Sequence, residues 1–355
     1  MELQKLGYNQ ELEHYIKEND WSEFTIARVT QEHKERYMVS TGDQEYDAEI
    51  MGNLRYSANS RADFPAVGDW VAMTVFDEKT AFINHVLPRI NALERQAVGK
   101  KGEKQIISAN IDEALIIQAI NNNFSINRFE RYLTICHSAN IKPVFVLSKT
   151  DLLSNDEIQE KVELLKARHK NVKCLLFSNE TMQGFDALKA YLQNQKTYCL
   201  IGSSGVGKSS LINNLFSSNV AKTGAISESL QKGKHVTSHR ELFVIDNGAI
   251  IIDTPGMREL GITDEGDGLA ESFSDISELS DQCKYSDCTH EEEDGCAVME
   301  AVEEGLLDMD TLINYKKMER EQTRFSSTVA EKRNKDKQFG KMVKSVMKNK
   351  KNNNF

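Results

Sequence analysis

Eight consecutive residues, Gly202-Ser203-Ser204-Gly205-Val206-Gly207-Lys208-Ser209, have the pattern Gly-x4-Gly-Lys-Ser. Such a turn, placed between a buried strand and a helix N-terminus, binds polyphosphate, because free backbone N–H groups and the positive end of the helix dipole converge on phosphate oxygens. Tyr198-Cys199-Leu200-Ile201 has the composition of that strand, and Ser209 to Phe216, with Leu211, Ile212 and Leu215 apolar, that of the helix. Lys208 is then placed to reach the β- and γ-phosphates. The Ser209 hydroxyl, with Ser210 behind it, is placed to meet Mg²⁺. A second buried-strand run, Ile250-Ile251-Ile252, delivers Asp253-Thr254-Pro255-Gly256 at its carboxyl end, where open α/β sheets bind ligands. Alone, Asp-x-Pro-Gly is an ordinary turn. Some forty residues after a phosphate loop, Asp253 is expected to hold Mg²⁺ through water and the Gly256 N–H to face a γ-phosphate.

Between the two lies Lys232-Gly233-Lys234-His235-Val236-Thr237-Ser238-His239, polar and without an apolar period. It reads as a loop able to present a hydroxyl to Mg²⁺ and the γ-phosphate, ordering with the phosphate and relaxing after its loss. Thr237 is assigned that role, with Ser238 as the substitute. His235 is a candidate for placing the attacking water, against the plainer reading of a solvated histidine.

A third apolar run, Val144-Phe145-Val146-Leu147, ends at Ser148-Lys149-Thr150-Asp151. This resembles the Asn-Lys-x-Asp element of GTPases, in which the Asp accepts hydrogen bonds from guanine N1 and N2 and the Lys stem packs on the base. Asp151 and Lys149 match. Ser148 departs, offering a shorter hydroxyl where an amide would both donate and accept. After Cys174-Leu175-Leu176-Phe177 comes Ser178-Asn179-Glu180, similar to the Ser-Ala-x loop that touches guanine O6. The order along the chain is therefore base-reading loops, phosphate loop, switch loop, Asp-x-Pro-Gly. That order is a circular permutation, which a parallel sheet tolerates when its termini are close and the cut lies in an exposed connection. It leaves the segment after Gly256 as the exit from the nucleotide domain, so that a switch movement is expected to pull on the C-terminal part of the chain.

That C-terminal part contains Cys283-x4-Cys288-x-His290-x5-Cys296. Three thiolates and one imidazole suit tetrahedral Zn²⁺, and four ligands with none left open indicate one structural ion. Disulfides are the competing reading, disfavoured in a reducing compartment. Cys136, Cys174 and Cys199 lie in apolar elements and are expected to be core residues.

The elements before residue 100 have another texture. Phe24, Ile26, Tyr37, Val39 and then Val71, Met73, Val75 fall in short alternating segments separated by Thr41-Gly42-Asp43 and Asp77-Glu78-Lys79 turns, a pattern that fits an OB-fold barrel. Such barrels bind oligonucleotides or serve only as docking walls. The chain has 355 residues, more than one core usually holds. No apolar run approaches the length of a membrane span and the N-terminus lacks a signal-peptide core, so a cytoplasmic protein with no membrane partner is expected. Net charge is -10, yet Glu331 to Phe355 carries nine Lys/Arg against two acids, or +7, leaving -17 elsewhere. The tail is either a disordered solubilising terminus or a salt-sensitive contact to phosphates.

Together these features make the chain similar to the ribosome small subunit-dependent GTPase A family over roughly residues 20–330. Local matches are Leu87-Pro88-Arg89-Ile90-Asn91 with Arg95, Ala109-Asn110-Ile111-Asp112, and His235-Val236-Thr237-Ser238. The resemblance implies a multidomain protein: an N-terminal OB-fold β-barrel (1–100), a central α/β P-loop GTPase with permuted motif order (101–270), a C-terminal α-helical zinc-binding domain (271–330) and a basic tail expected to be disordered (331–355). It further implies GTP/GDP, Mg²⁺ and Zn²⁺ as ligands. It implies GTP hydrolysis during late maturation of the small ribosomal subunit, contact with that subunit's rRNA, release afterwards, and a monomer. Met257 stands where many GTPases carry Gln, so turnover is expected to be slow alone and stimulated by the subunit. A P-loop ATPase with a decayed base loop, or a non-hydrolysing nucleotide-gated RNA-binding module, would use the same residues.

Overall fold

The computed structural model describes residues 2–33, 36–96, 104–121, 124–216, 240–254, 267–291 and 293–326. Thr237, His235, Ser238, Gly256, Met257 and the tail 331–355 lie outside the described residues.

Strands β1 (Thr25–His33), β2 (Arg36–Ser40), β3 (Glu45–Ile50), β4 (Trp70–Val75) and β5 (Thr80–Val86) run in the order β1-β2-β3-β5-β4, and β4 pairs back onto β1. The pairings are antiparallel except β3 with β5, so the five strands close into an OB-like barrel. Alternate side chains fill it, among them Val29, Val39, Val71, Met73 and Ile83. The β1–β2 register shifts at a bulge between Val29 and Gln31, and Gln31 beyond it also pairs with the neighbouring domain. Helix α1 (Gln10–Glu18) covers one outer face of the barrel. Asn9 caps it by accepting from Leu12 N at 3.0 Å, and the i, i+4 pair Leu12 and Ile16 packs with Leu6, Trp70 and Leu87. A short α2 (Gly52–Ser57) lies against β5.

A hairpin of β6 (Ala92–Gln96) and β7 (Lys104–Ala109) connects the barrel to a six-stranded sheet. Its strands are β8 (Glu113–Ala119), β9 (Lys142–Ser148), β10 (Lys173–Leu176), β11 (Thr197–Ile201), β12 (Glu241–Val244) and β13 (Ile250–Asp253). The order is β10-β9-β8-β11-β13-β12, parallel except for the edge strand β12. Helices α3 (Ile126–Ser138), α4 (Asn155–Arg168), α5 (Phe185–Tyr191) and α6 (Lys208–Leu215) complete this α/β domain. Two separate apolar clusters occupy the two faces of the sheet, which is why β8 and β11 are buried along their whole length.

β12 also pairs with β1 at Gln31 and Glu241, making the barrel and the nucleotide sheet one continuous eleven-stranded surface. The deeper joint is Arg28, 1% exposed. Its guanidinium donates to Gly68 O (3.1 Å), to Asn110 O (3.0 Å), to Thr197 Oγ1 (3.0 Å) and to Leu6 O, and lies over the Trp70 ring. One side chain therefore ties the N-terminal segment, the barrel, the connector and β11 together. The Leu87–Asn91 and Ala109–Asp112 segments form the rest of the knot: Asn91 exchanges side-chain bonds with Ile111 N and O (2.9 and 2.7 Å), and Asn110 Oδ1 accepts from Ile90 N. Arg89 makes a bidentate pair with the fully buried Asp69 at 2.7–2.8 Å.

After the nucleotide domain come α7 (Gly268–Ser272), α8 (Ser274–Ser280), α9 (Ala297–Glu303) and α10 (Met309–Ser326). α7 presses on α3 so closely that a Cβ on Gly268 would lie 2.2 Å from Ser138 Oγ. α10 is held to α3 by Asn314 Nδ2 donating to the buried Glu130 (2.5 Å) and by an Arg131–Glu321 ion pair. Cys136 and Cys199 are buried and Cys174 is partly buried, all three as free thiols in core elements. No helix among the described residues is long and apolar enough to cross a membrane.

Candidate nucleotide and metal sites

The phosphate loop leaves β11 at the carboxyl edge of the sheet, flanked by β8 and β13. Gly202 sits on β8: a Cβ there would meet Ile117 O at 2.4 Å. Val206 is buried and anchors the loop to the core beneath, while Ser204, Gly205, Ser209 and Ser210 face solvent. Gly205 and Gly207 have φ of +81° and +96°, the left-handed region that lets the backbone curl. α6 starts directly after Gly207, so its first N–H groups point into the curl.

Lys208 folds over this loop, its ammonium donating to Gly202 O (2.6 Å) and Ser203 O (3.2 Å). Burial holds its pKa below the usual lysine value, with Asp253 opposing the shift. Burial raises the pKa of Asp253, with Lys208 opposing. Asp253 Oδ1 and Ser203 Oγ are both buried without a hydrogen-bond partner among the described residues. An unpaired buried carboxylate oxygen near a half-buried ammonium is costly unless a further polar group arrives. The donor set fits a polyphosphate with a hard, oxygen-seeking cation such as Mg²⁺. Thr254 turns inward to donate to Leu200 O at 2.8 Å, and this fixes the end of β13.

The two loops that the sequence marks for contact with a base follow β9 and β10, which lie beyond β8 in the sheet. β9 ends at Ser148, and Lys149 adopts φ 60°, a left-handed turn that brings Thr150–Leu152 round as a single 3-10 turn. Asp151 is exposed, and one of its oxygens accepts from the Ser178 hydroxyl. Ser178 in turn accepts from Glu180 N and Thr181 N at 3.2 Å each, so the two loops form one rigid rim. Ser148 is fully buried, and its hydroxyl donates to Val206 O at 2.7 Å. The sequence suggests a weakened contact to nucleotide at this position. The structure instead turns Ser148 away from the rim and onto the back of the phosphate loop. Asn179 likewise donates to Gly207 O at 3.1 Å.

The second site lies between α8 and α10. The ligand atoms of Cys283, Cys288, His290 and Cys296 all fall within 4.8 Å of one another. Cys283 Sγ and Cys296 Sγ are 3.9 Å apart, close to the edge of about 3.8 Å that a tetrahedron of 2.3 Å metal–sulfur bonds requires. His290 Nδ1 approaches Cys296 Sγ (3.4 Å) and Cys283 Sγ (3.7 Å). Its Nε2 lies 3.0 Å from Ser280 Oγ, which itself donates to Ile276 O at 2.7 Å. Ser280 can therefore only accept from Nε2–H, which leaves the Nδ1 lone pair aimed at the thiols. Cys296 caps α9 by accepting from Met299 N. Sequence spacing does not reveal Ser280 or Lys316, whose ammonium binds His290 O, because both come from neighbouring helices.

A barrel, a phosphate loop whose base-reading strands precede it in the chain, and a helical module with a Cys3His cluster define a circularly permuted GTPase. The family model described as RsgA GTPase matches residues 86–263. A Vibrio parahaemolyticus protein called small ribosomal subunit biogenesis GTPase RsgA 2 is 36% identical over 98% of this chain and 93% of its own length. A Lactiplantibacillus plantarum protein of the same name is 41% identical over 83% of each. The chain belongs to the RsgA GTPase family. The crystal structure of YjeQ from Thermotoga maritima aligns with a TM-score of 0.61 at 26% identity, covering 84% of this chain and 98% of that one. YloQ, titled a circularly permuted GTPase, aligns at 0.60 and 22% identity over 86% and 97%, a likeness of fold. Neither the ATPase nor the non-hydrolysing alternative is favoured by this membership.

Proposed function

We propose that the protein binds GTP on the phosphate loop, hydrolyses it on the small ribosomal subunit during late maturation, and leaves the subunit in the GDP state. The observation that carries this reading is the convergence on one edge of the sheet of Asp151, Lys208 and Asp253, whose Oδ1 has no partner among the described residues, in a chain whose relatives are named for small-subunit biogenesis. In it, Asp151 and Lys149 select guanine, and Gly202 to Ser210 wrap the phosphates. Lys208 exchanges its two carbonyl partners for β- and γ-phosphate oxygens. Ser209 and Asp253, with Thr237 from the switch loop, would hold Mg²⁺. When bound, Mg²⁺ neutralises charge on the β- and γ-phosphate oxygens. Gly256 senses the γ-phosphate and His235 is the candidate for orienting water, since the thioether of Met257 cannot. Intrinsic turnover is therefore slow, and an RNA-rich partner that settles the switch loop accelerates it.

One Zn²⁺ on Cys283, Cys288, His290 and Cys296 is structural. The acidic body meets rRNA locally, through the barrel, the zinc module or the tail, and the protein acts as a cytoplasmic monomer. Co-sedimentation with purified small and large subunits, in GDP and in a non-hydrolysable GTP analogue, tests the reading. Analogue-dependent binding to the small subunit is expected, with GTP turnover raised by it. Binding to the large subunit alone would overturn the assignment.

A further inference from the structure

In a protein that binds guanine nucleotide as proposed above, the N–H groups of the phosphate loop must be aimed at the phosphates before the ligand arrives. A peptide unit is planar and trans, so a carbonyl tied in one direction turns the N–H of the same unit the opposite way. Two consecutive units of the loop are tied in this manner. Val206 O accepts from Ser148 Oγ at 2.7 Å, and Gly207 O accepts from Asn179 Nδ2 at 3.1 Å besides its helical bond from Leu211 N. The N–H groups of Gly207 and Lys208 are the ones so directed. Asn179 is itself gripped, because Asn214 on α6 donates to its Oδ1 (3.2 Å) and its main-chain O (3.3 Å). The contact is tight: a Cβ on Gly207 would lie 2.6 Å from Asn179 Nδ2.

Ser148 occupies the place of an asparagine in the Asn-Lys-x-Asp pattern, and Asn179 the place of an alanine in Ser-Ala-x. The chain thus has a hydroxyl where an amide is expected and an amide where a methyl is expected. Both side chains end on adjacent carbonyls of the same loop. We propose that Asn179 is a positioning residue for the phosphate loop, supplying from the second base loop the amide that Ser148 lacks. Because Ser178, its neighbour, holds Asp151, occupancy of the base site and the set of the phosphate loop are linked through two consecutive residues.

The test compares GDP with guanosine, which has the base but no phosphate, by competition against a fluorescent guanine nucleotide. Asn179→Asp keeps the shape and replaces the donor facing Gly207 O with an acceptor. GDP affinity should fall about tenfold while guanosine affinity holds, the fold-change expected for losing one part-buried hydrogen bond. Ser148→Asn in the Asn179→Ala background should recover most of the GDP affinity lost in Asn179→Ala alone. Equal losses for GDP and guanosine would make Asn179 a base contact and overturn the proposal, as would undiminished GDP binding in Asn179→Asp. If the double variant fails to fold, the Asn179→Asp comparison decides. Failure of the wild-type protein to bind GDP would instead overturn the nucleotide reading beneath it.

Discussion

Lys208 and Asp253 carry the clearest consequences for single residues. Asp253 is buried and Lys208 half-buried, and burial shifts the pKa of each while the charge of the other opposes the shift. Lys208→Ala removes the ammonium that folds over the loop and should lower single-turnover GTP cleavage by at least ~100-fold, read by rapid-quench assay. Equal rates in the two proteins would remove Lys208 from the mechanism. Asp151→Asn should exchange guanine for xanthine preference, measured by competition between GDP and XDP, since the amide presents a donor where the carboxylate accepts. In the Cys3His module, Ser280 fixes the His290 tautomer and is not itself one of the four clustered ligand residues. Ser280→Ala should weaken zinc retention about 10–100-fold in a chelator titration, with the four ligands intact.

At the scale of elements, the seam between β1 and β12 is held by groups that titrate. Glu241 accepts from Gln31 Nε2 at 2.6 Å, and burial pushes its pKa from the ordinary 4.5 to about 7. A carboxyl raised in the folded state favours folding fully below the unfolded value, and that contribution is lost as pH rises through the folded one. The seam should therefore weaken between about pH 4.5 and 7. Glu241→Gln should melt higher than wild type at pH 8 and alike at pH 4, by thermal denaturation followed at both. The sequence shows β12 only as Glu241-Leu242-Phe243-Val244, with nothing to mark its second partner. Likewise α1 is signalled by Asn9 and the Leu12/Ile16 spacing, a cap and stripe that sequence reading passes over in favour of the strands. α7 is the element least legible beforehand. Motif order alone suggests a switch that pulls directly on the zinc segment, but the first described helix after the switch is pinned on α3 through Gly268.

For the whole molecule, Arg28 decides how the parts are arranged. Its guanidinium meets four segments at once, and burial lowers its pKa to about 10, still charged at neutral pH. Arg28→Met keeps the stem and strands several buried carbonyls. It should cost on the order of 3 kcal/mol or more, seen as a lower denaturant midpoint. If it unfolds the barrel separately from the nucleotide domain, two transitions will replace one. The Cys3His module is tied to α3 by Glu130, which also binds Arg168 at 3.1 Å, so nucleotide domain and module share a buried charge.

The sequence by itself determined the chemistry: Gly-x4-Gly-Lys-Ser, Lys-x-Asp, Asp-x-Pro-Gly and the Cys3His spacing are local signals, because each motif's residues act from one short segment at the end of one strand or turn. Their inverted order also declared the permuted α/β sheet. Only the tertiary structure decided which side chains face the ligand and which face the protein. Ser148 and Asn179 stand among base-reading residues yet end on the phosphate loop. Arg28 is one arginine among many until four segments from distant parts of the chain close round it. Such roles depend on contacts between residues far apart in sequence, and no local pattern encodes a partner that only the folded chain brings within 3 Å.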